Sequence, residues 1–120
     1  MLILPIKKKW FDMILSGKKK EEYREIKPYW NRRLINVFGR GLYIPETNTF
    51  VADTSEDKYL GKGKPQYVLF RNGYGIDKPT IKCLVDLERG YGKEEWGAEP
   101  NKEYYILKIL SVEKLKDSDD

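Results

Sequence analysis

The segment SGKKKEEYREIKPYWNRRL, Ser16 to Leu34, places twelve charged or tyrosine side chains in nineteen positions. In a chain of 120 residues that is a severe constraint. This length allows one domain, and such a domain normally needs most of its segments for a single core. Between Gly17 and Pro28, the stretch Lys19 to Ile26 reads as a strand. Alternation sets Lys20, Glu22, Arg24 and Ile26 on one face and Lys19, Glu21, Tyr23 and Glu25 on the other, so neither face is apolar. A strand of this kind lies at a sheet edge in water, or turns one face into a polar cavity where opposite charges satisfy one another.

The flanking sequence is more conventional. Leu2-Ile3-Leu4-Pro5-Ile6 reads as a short first strand, with its proline pointing to an edge or to the strand's exit. In Lys7–Ser16, Trp10, Phe11, Ile14 and Leu15 form one apolar face of a helix, and Gly17 stands where a left-handed cap would end it. Pro28 fits the first turn of a second helix running through Leu34 and Ile35. Beyond Gly39-Arg40-Gly41 the signals change to strands: Leu42–Ile44, Tyr67–Phe70, Ile81–Leu87 and Tyr104–Val112. The last is the longest apolar run and the expected central strand. Asn72-Gly73 reads as a hairpin turn. Pro45 to Pro65 is a polar stretch rich in turn formers with no assigned element. Two early helices followed by strands predict an α+β domain with a curved, mainly antiparallel sheet or small barrel of about five or six strands. The domain is expected to span 1–113, with 114–120 a short, mobile charged tail.

Charge is unevenly spread. Residues 1–40 hold eleven Lys/Arg against four Asp/Glu, a net +7, whereas residues 41–120 hold twelve against fifteen, a net −3. A basic third facing a mildly acidic remainder favours a localised anionic partner; the alternative is that Lys7–Lys9 and Lys18–Lys20 are solvated surface. The chain has no histidine, so a catalytic triad, a histidine base and most transition-metal sites are unavailable. Cys83 is alone, which excludes an internal disulfide or a CxxC site; the alternation around it predicts a buried strand thiol. No cofactor or metal is expected. No apolar run approaches the ~18 residues of a membrane span, and the start MLILPIKKKW has its charges after its apolar residues, the reverse of a signal peptide. The expectation is a cytoplasmic protein.

Gly17-Lys18-Lys19-Lys20-Glu21-Glu22-Tyr23-Arg24 fits the GxKxxxxR signature of the ASCH domain, with Gly17, Lys19 and Arg24 at the signature positions. Glu22 also fits, because many ASCH sequences have Glu two places before the Arg. The chain resembles the short stand-alone ASCH proteins of bacteria and phages, in which segments similar to YREIKPYW, FRNGYG and GYGKEEWGAEPNKEYYILKI recur. The resemblance runs from Leu2 to Leu110, apart from Pro45–Lys64. It implies a small PUA-like β-barrel, with a cleft beside the first helix lined by Lys19, Glu22 and Arg24, and RNA or a nucleotide-like ligand as partner. For Lys19 to join Glu22 and Arg24, it must sit at the helix-to-strand turn, before the strand's alternation begins.

The residues themselves suit such a ligand. Arg24, Arg32 and Arg33 can donate to phosphate oxygens, while Trp30, Tyr29 or Tyr74 can stack a base. Aromatics beside basic residues favour single-stranded RNA or a flipped base over a duplex. Trp10 and Trp96 read as core, and Trp30 as packing or platform. Asn72 is either a turn residue or a ligand contact. Gly90-Tyr91-Gly92 reads as a flexible bend.

Two other readings stay open. Some small ASCH proteins are amidohydrolases that deacylate N4-acylated cytidine, and ribonuclease activity has been attributed to others. In that chemistry Lys19 would be nucleophile or base, Glu22 a proton relay and Arg24 the oxyanion donor. The amidohydrolase group carries Thr at the position of Glu22 and needs a second acid, for which Glu88 and Asp86 are candidates. Alternatively Lys19, Glu22 and Arg24 form a purely structural polar network locking the first helix to the barrel.

Overall fold

A computed structural model describes residues 1–38, 41–44, 49–52 and 65–115. Its order is β1 (Leu2–Ile6), α1 (Lys8–Leu15), β2 (Glu21–Glu25), α2 (Pro28–Phe38), β3 (Gly41–Ile44), β4 (Thr49–Ala52), β5 (Gln66–Asn72), β6 (Thr80–Tyr91) and β7 (Glu103–Lys114). The fold is α+β. Five strands make one sheet, ordered β1-β5-β6-β7-β2 and curled into half a barrel, while β3 and β4 pair separately. Only β1 and β5 run parallel; the remaining pairs are antiparallel.

The inner face of the sheet is hydrocarbon across its middle. Val68 and Phe70 of β5, and Ile81, Cys83, Val85 and Leu87 of β6, are all fully buried. Leu4 and Ile6 extend that surface on β1, as do Tyr105 and Leu107 on β7. Each such side chain contributes roughly 1.5–3 kcal/mol on leaving water. Phe11 and Ile14 of α1, and Leu34, Ile35 and Phe38 of α2, cover the face. Leu15, expected on the apolar side of α1, is 40% exposed, because the buried stripe centres on Phe11 and Ile14 instead. The Tyr105 hydroxyl donates to Asn31 Oδ1, fastening α2 to β7.

Several local signals act as expected. Gly17 takes φ +84°, and its N–H bonds the Ile14 carbonyl, ending α1. Pro28 opens α2. Cys83 is a buried strand thiol, and burial pushes its pKa up to about 12.

Other expectations are corrected. The middle strand is β6, with β7 next to the edge strand β2. The apolar run of β7 serves two different surfaces: Tyr105 and Leu107 enter the main core, whereas Tyr104 and Ile106 pack on the opposite face. Asn72-Gly73 is no two-residue hairpin turn. Gly73 has φ +90°, but the connection from β5 to β6 runs from Gly73 to Pro79, closed by the Asn72 N–H on the Pro79 carbonyl. Pro45–Pro65 conceals a strand, β4; the remainder of that stretch short of Pro65 lies outside the described residues. Lys114, expected to begin the tail, belongs to β7, and residues 116–120 lie outside the described residues. A register shift between Leu84 and Val85 leaves Leu110 as the extra residue on β7, a bulge that adds bend and twist to the long β6–β7 pair. Among the described residues, no helix is long and apolar enough to cross a membrane.

Candidate functional site

The half-barrel leaves two edge strands, β1 and β2, and a cleft lies where they face each other. Its volume is about 840 Å³. Pro5 and Ile6 come from β1, Glu22 and Arg24 from β2, Trp10 from α1, and Tyr29, Trp30 and Arg33 from α2. The Gly73–Pro79 loop contributes Tyr74, and the turn Glu94–Trp96 with Gly97 closes the remaining side.

β2 explains the opening charge pattern. Its register sets Glu22 opposite Leu107 and Arg24 opposite Tyr105, so both charged residues share the inner face with the core residues of β7. Tyr23 points the other way and packs with Tyr104, Ile106 and Ala98 as a second, smaller core. The strand begins only at Glu21; Lys19 precedes it, in the turn that follows Gly17, where its N–H bonds the Met13 carbonyl at 3.0 Å. Alternation does not govern Lys19, which is how it reaches Glu22.

These three residues form one buried ionic chain. Lys19 Nζ stands 3.1 Å from Glu22 Oε1, and Arg24 Nη1 donates to Glu22 Oε2 at 2.5 Å. The side chains are 0%, 7% and 13% exposed, in the order Lys19, Glu22, Arg24. Lys19 also donates to the Trp96 carbonyl at 2.5 Å and lies against the Trp10 and Tyr23 rings, at 4.7 and 5.0 Å from their centres. Burial lowers the basicity of its amine below the ordinary lysine value, and the Glu22 carboxylate counters part of that effect. Arg24 donates to the Tyr23 carbonyl at 2.8 Å and reaches across to the Pro5 carbonyl at 3.4 Å, spanning the seam between the two edge strands.

The walls are aromatic. All three tryptophans of the chain line the cleft. Trp30 meets Tyr29 edge-on at 4.8 Å, with the Arg24 guanidinium 5.2 Å from the Trp30 ring centre and Arg33 5.1 Å from that of Tyr29. Trp10 and Trp96, read as core from the sequence, do pack against the main and the smaller core respectively, but they are only partly buried and line the cleft as well. Trp10 sits at the margin of the α1 apolar face, and Trp96 lies in the short turn between β6 and β7. Gly97 permits this closeness: it adopts φ +102°, and a Cβ there would lie 3.0 Å from the Trp10 ring. Trp30 is both packing and wall, resting on the main core while lining the cleft.

Of the residues singled out from sequence, Glu22, Arg24, Trp30, Arg33 and Tyr74 meet at the cleft. Lys19 lies behind its floor, fully enclosed. Asn72 is not part of the lining; it is the last residue of β5, in register with Ile6, and its neighbours Gly73 and Tyr74 take the cleft instead. Glu88 and Asp86 are not candidates for a second acid there. They alternate along β6 with the core residues Val85 and Leu87 and so face outward, with Glu88 3.6 Å from Lys108 and Asp86 accepting from the Leu87 N–H. Gly90-Tyr91-Gly92 is no bend: Gly90 and Tyr91 finish β6, and a Cβ at Gly92 would fall 2.5 Å from the Tyr23 ring.

Sequence reading missed Lys7, Trp10, Tyr23 and Trp96 as lining residues. For Trp96 there is a signal in hindsight. A tryptophan between charged residues and Gly97, outside any regular apolar pattern, sits in a connecting turn, where a ring that packs on a core can also form a site wall.

The balance of charge is positive. Among the described residues, Glu22 is the one acidic residue of the lining, and it is already spanned by Lys19 and Arg24. Among the described residues, Lys7 and Arg33 have no acidic partner. Nor does any group of three His, Cys, Asp or Glu side chains among them suit a metal ion. No family model, curated protein or solved structure matches this chain.

Proposed function

We propose that the chain is an ASCH-type module of the PUA-like class that binds RNA or a nucleotide, seating a base among the tryptophans of the cleft. The observation that carries this reading is the convergence of all three tryptophans on one cleft whose unpaired charges, among the described residues, are cationic. A base supplies flat faces for rings and edge groups for a floor of one carboxylate and one guanidinium; its phosphate supplies the anion that Lys7 and Arg33 lack. Stacking on one ring is worth roughly 1–3 kcal/mol, so two rings account for a useful affinity. Lys19 serves here as an internal counter-charge that fixes Glu22 beneath the ligand.

The tryptophans make the test direct. Titration with nucleoside 5′-monophosphates should quench the intrinsic fluorescence saturably, and Arg33→Ala should weaken that binding and reduce its salt dependence. Binding that is absent both for these and for short single-stranded RNA, or indifferent to salt in the wild type, would overturn the reading.

One observation favours a second reading, an amidohydrolase acting on N4-acylated cytidine: the lowered basicity of Lys19 suits a nucleophile or base. Its amine must then be uncovered by movement of Glu22 or the Trp96 turn, because it is fully enclosed. Incubation with N4-acetylcytidine separates the two readings. Cytidine release by the wild type and not by Lys19→Ala establishes the hydrolase; no release leaves the binding module.

A further inference from the structure

The rim of the cleft carries more than one base can use. A base has two faces, yet the three tryptophans are joined at the cleft by Tyr29 and Tyr74. Tyr74 is 84% exposed although it lines the cleft, and Ile76, two residues further along the same loop, is 92% exposed. Among the described residues, no ring or cation lies against Tyr74. Its loop is anchored at the base: the Gly73 N–H bonds the Ile6 carbonyl at 2.9 Å, and the Asn72 N–H bonds the Pro79 carbonyl at 2.9 Å. The structure therefore holds an open ring at the mouth of the cleft on a fastened loop.

The rim is also cationic beyond the cleft itself. On α2, Tyr29, Arg32 and Arg33 stand at i, i+3 and i+4 and so share one face. Arg33 reaches the lining, whereas Arg32 does not and is exposed. Among the described residues, Arg32 has no acidic partner. Neither α1 nor α2 has an acidic residue in its first turn to offset the positive end of the helix.

Resting on the nucleotide-binding reading above, we infer that the cleft is one station on a track for a single strand, and that the ligand is single-stranded nucleic acid of two or more nucleotides. One base enters among the tryptophans, its neighbour stacks on Tyr74, and the phosphates between and beside them meet Arg33 and Arg32. A free mononucleotide would leave Tyr74 and Arg32 idle. A duplex would withhold the base faces that the rings require.

The experiment is a length series. The intact chain is titrated, by tryptophan quenching, with 5′-mononucleotides and with single-stranded RNAs of two, four and eight nucleotides of the same mixed base composition. Affinity should rise at least tenfold from the mononucleotide to the tetranucleotide and then level off. Stacking on one ring corresponds to about fivefold to somewhat above a hundredfold in affinity. Tyr74→Ala should collapse the ratio of tetranucleotide to mononucleotide affinity towards one, and Arg32→Glu should reduce that ratio and flatten its salt dependence. Mononucleotides that bind as tightly as tetranucleotides overturn the track and leave the single-nucleotide cleft standing. Failure of every probe, mononucleotides included, overturns both. A full length gain that survives Tyr74→Ala and Arg32→Glu also overturns the inference, since the extra contacts then lie elsewhere.

Discussion

The inner face of the sheet has two regions built on opposite principles. Along β5 and β6 it is hydrocarbon, with Val68, Phe70, Ile81, Cys83, Val85 and Leu87 all fully buried. Two strands away, on β2, the same face carries Glu22 and Arg24, with Lys19 beneath them. Both regions are screened from water, but only the first gains stability simply by being so. Each buried ion loses several kcal/mol of hydration, which its partners return only if every lone pair and proton is placed. The charged region lies where the half-barrel is open, beside a cleft. The sheet keeps its apolar surface where strands are continuous and its ions where the cleft opens beside them.

The largest expected effect comes from breaking the ionic region. Glu22→Ala leaves Lys19 and Arg24 buried without their shared counter-charge and should destabilise the protein by about 3–5 kcal/mol. The triple replacement Lys19→Met, Glu22→Leu, Arg24→Met should instead fold with stability close to the wild type or above it, while abolishing the nucleotide binding proposed above. Urea unfolding of the two variants checks the contrast. A triple variant as unstable as Glu22→Ala would show that the ions hold the fold in a way hydrocarbon cannot replace.

Next is the smaller core around Tyr23. A Cβ at Gly92 would lie 2.5 Å from the Tyr23 ring and 2.8 Å from the Ala98 Cβ. Tyr23 is held there from both sides: its hydroxyl accepts from the Lys93 N–H at 2.9 Å and donates to Glu21 at 2.7 Å. Gly92→Ala should therefore cost about 1–3 kcal/mol by overpacking. It should also disturb the tryptophan spectrum, because the same turn carries Trp96. A neutral substitution would mean that the segment after β6 packs more loosely than these distances imply.

The two regions differed in how far the sequence announced them. The hydrocarbon region followed from alternation: Ile81, Cys83, Val85 and Leu87 could be placed on one face without any tertiary information. Glu22 and Arg24 obeyed the same alternation, and Gly17 showed why Lys19 could escape it. Trp96 could not be found this way, since its carbonyl meets Lys19 across 77 residues of chain and no local pattern encodes that contact. The position of β7 beside an edge strand was equally hidden: a long apolar run marks burial on both faces, whichever place in the sheet supplies it. β4 was obscured because turn formers on either side outweighed the short run Thr49-Phe50-Val51-Ala52.

The regions should also titrate with opposite signs. The Cys83 thiol has an ordinary value of 9.0 and is raised to about 12 by burial, so between pH 9 and 12 the unfolded chain loses a proton that the folded chain keeps. Its contribution to stability is present in full below pH 9 and falls by about 1.4 kcal/mol per pH unit above it. Lys19 behaves in reverse. Its folded value lies below 10.5, so just below that pH the unfolded chain holds the extra proton, and stability rises with pH. Urea titrations at pH 8, 9 and 10 should show a profile tilted upward in Cys83→Ala and downward in Lys19→Met, each relative to the wild type. Profiles parallel to the wild type in both variants would contradict the burial of these groups.

The smallest effect sharpens what burial does to an ion pair. On the exposed side of α1, Lys8 and Asp12 stand 2.6 Å apart, closer than Lys19 and Glu22 at 3.1 Å, but their side chains are 75% and 52% exposed. Water and salt screen the exposed pair, and its geometry must be held against the freedom of a long lysine side chain. A double-mutant cycle with Lys8→Ala and Asp12→Ala should therefore give a coupling of about 0.3–0.5 kcal/mol, fading with added salt. The same cycle on Lys19 and Glu22 should return a coupling several times larger and little changed by salt. Equal couplings would mean that distance rather than environment sets the strength of ion pairs in this fold, and the charged floor of the cleft would then lose its claim to be a rigid platform.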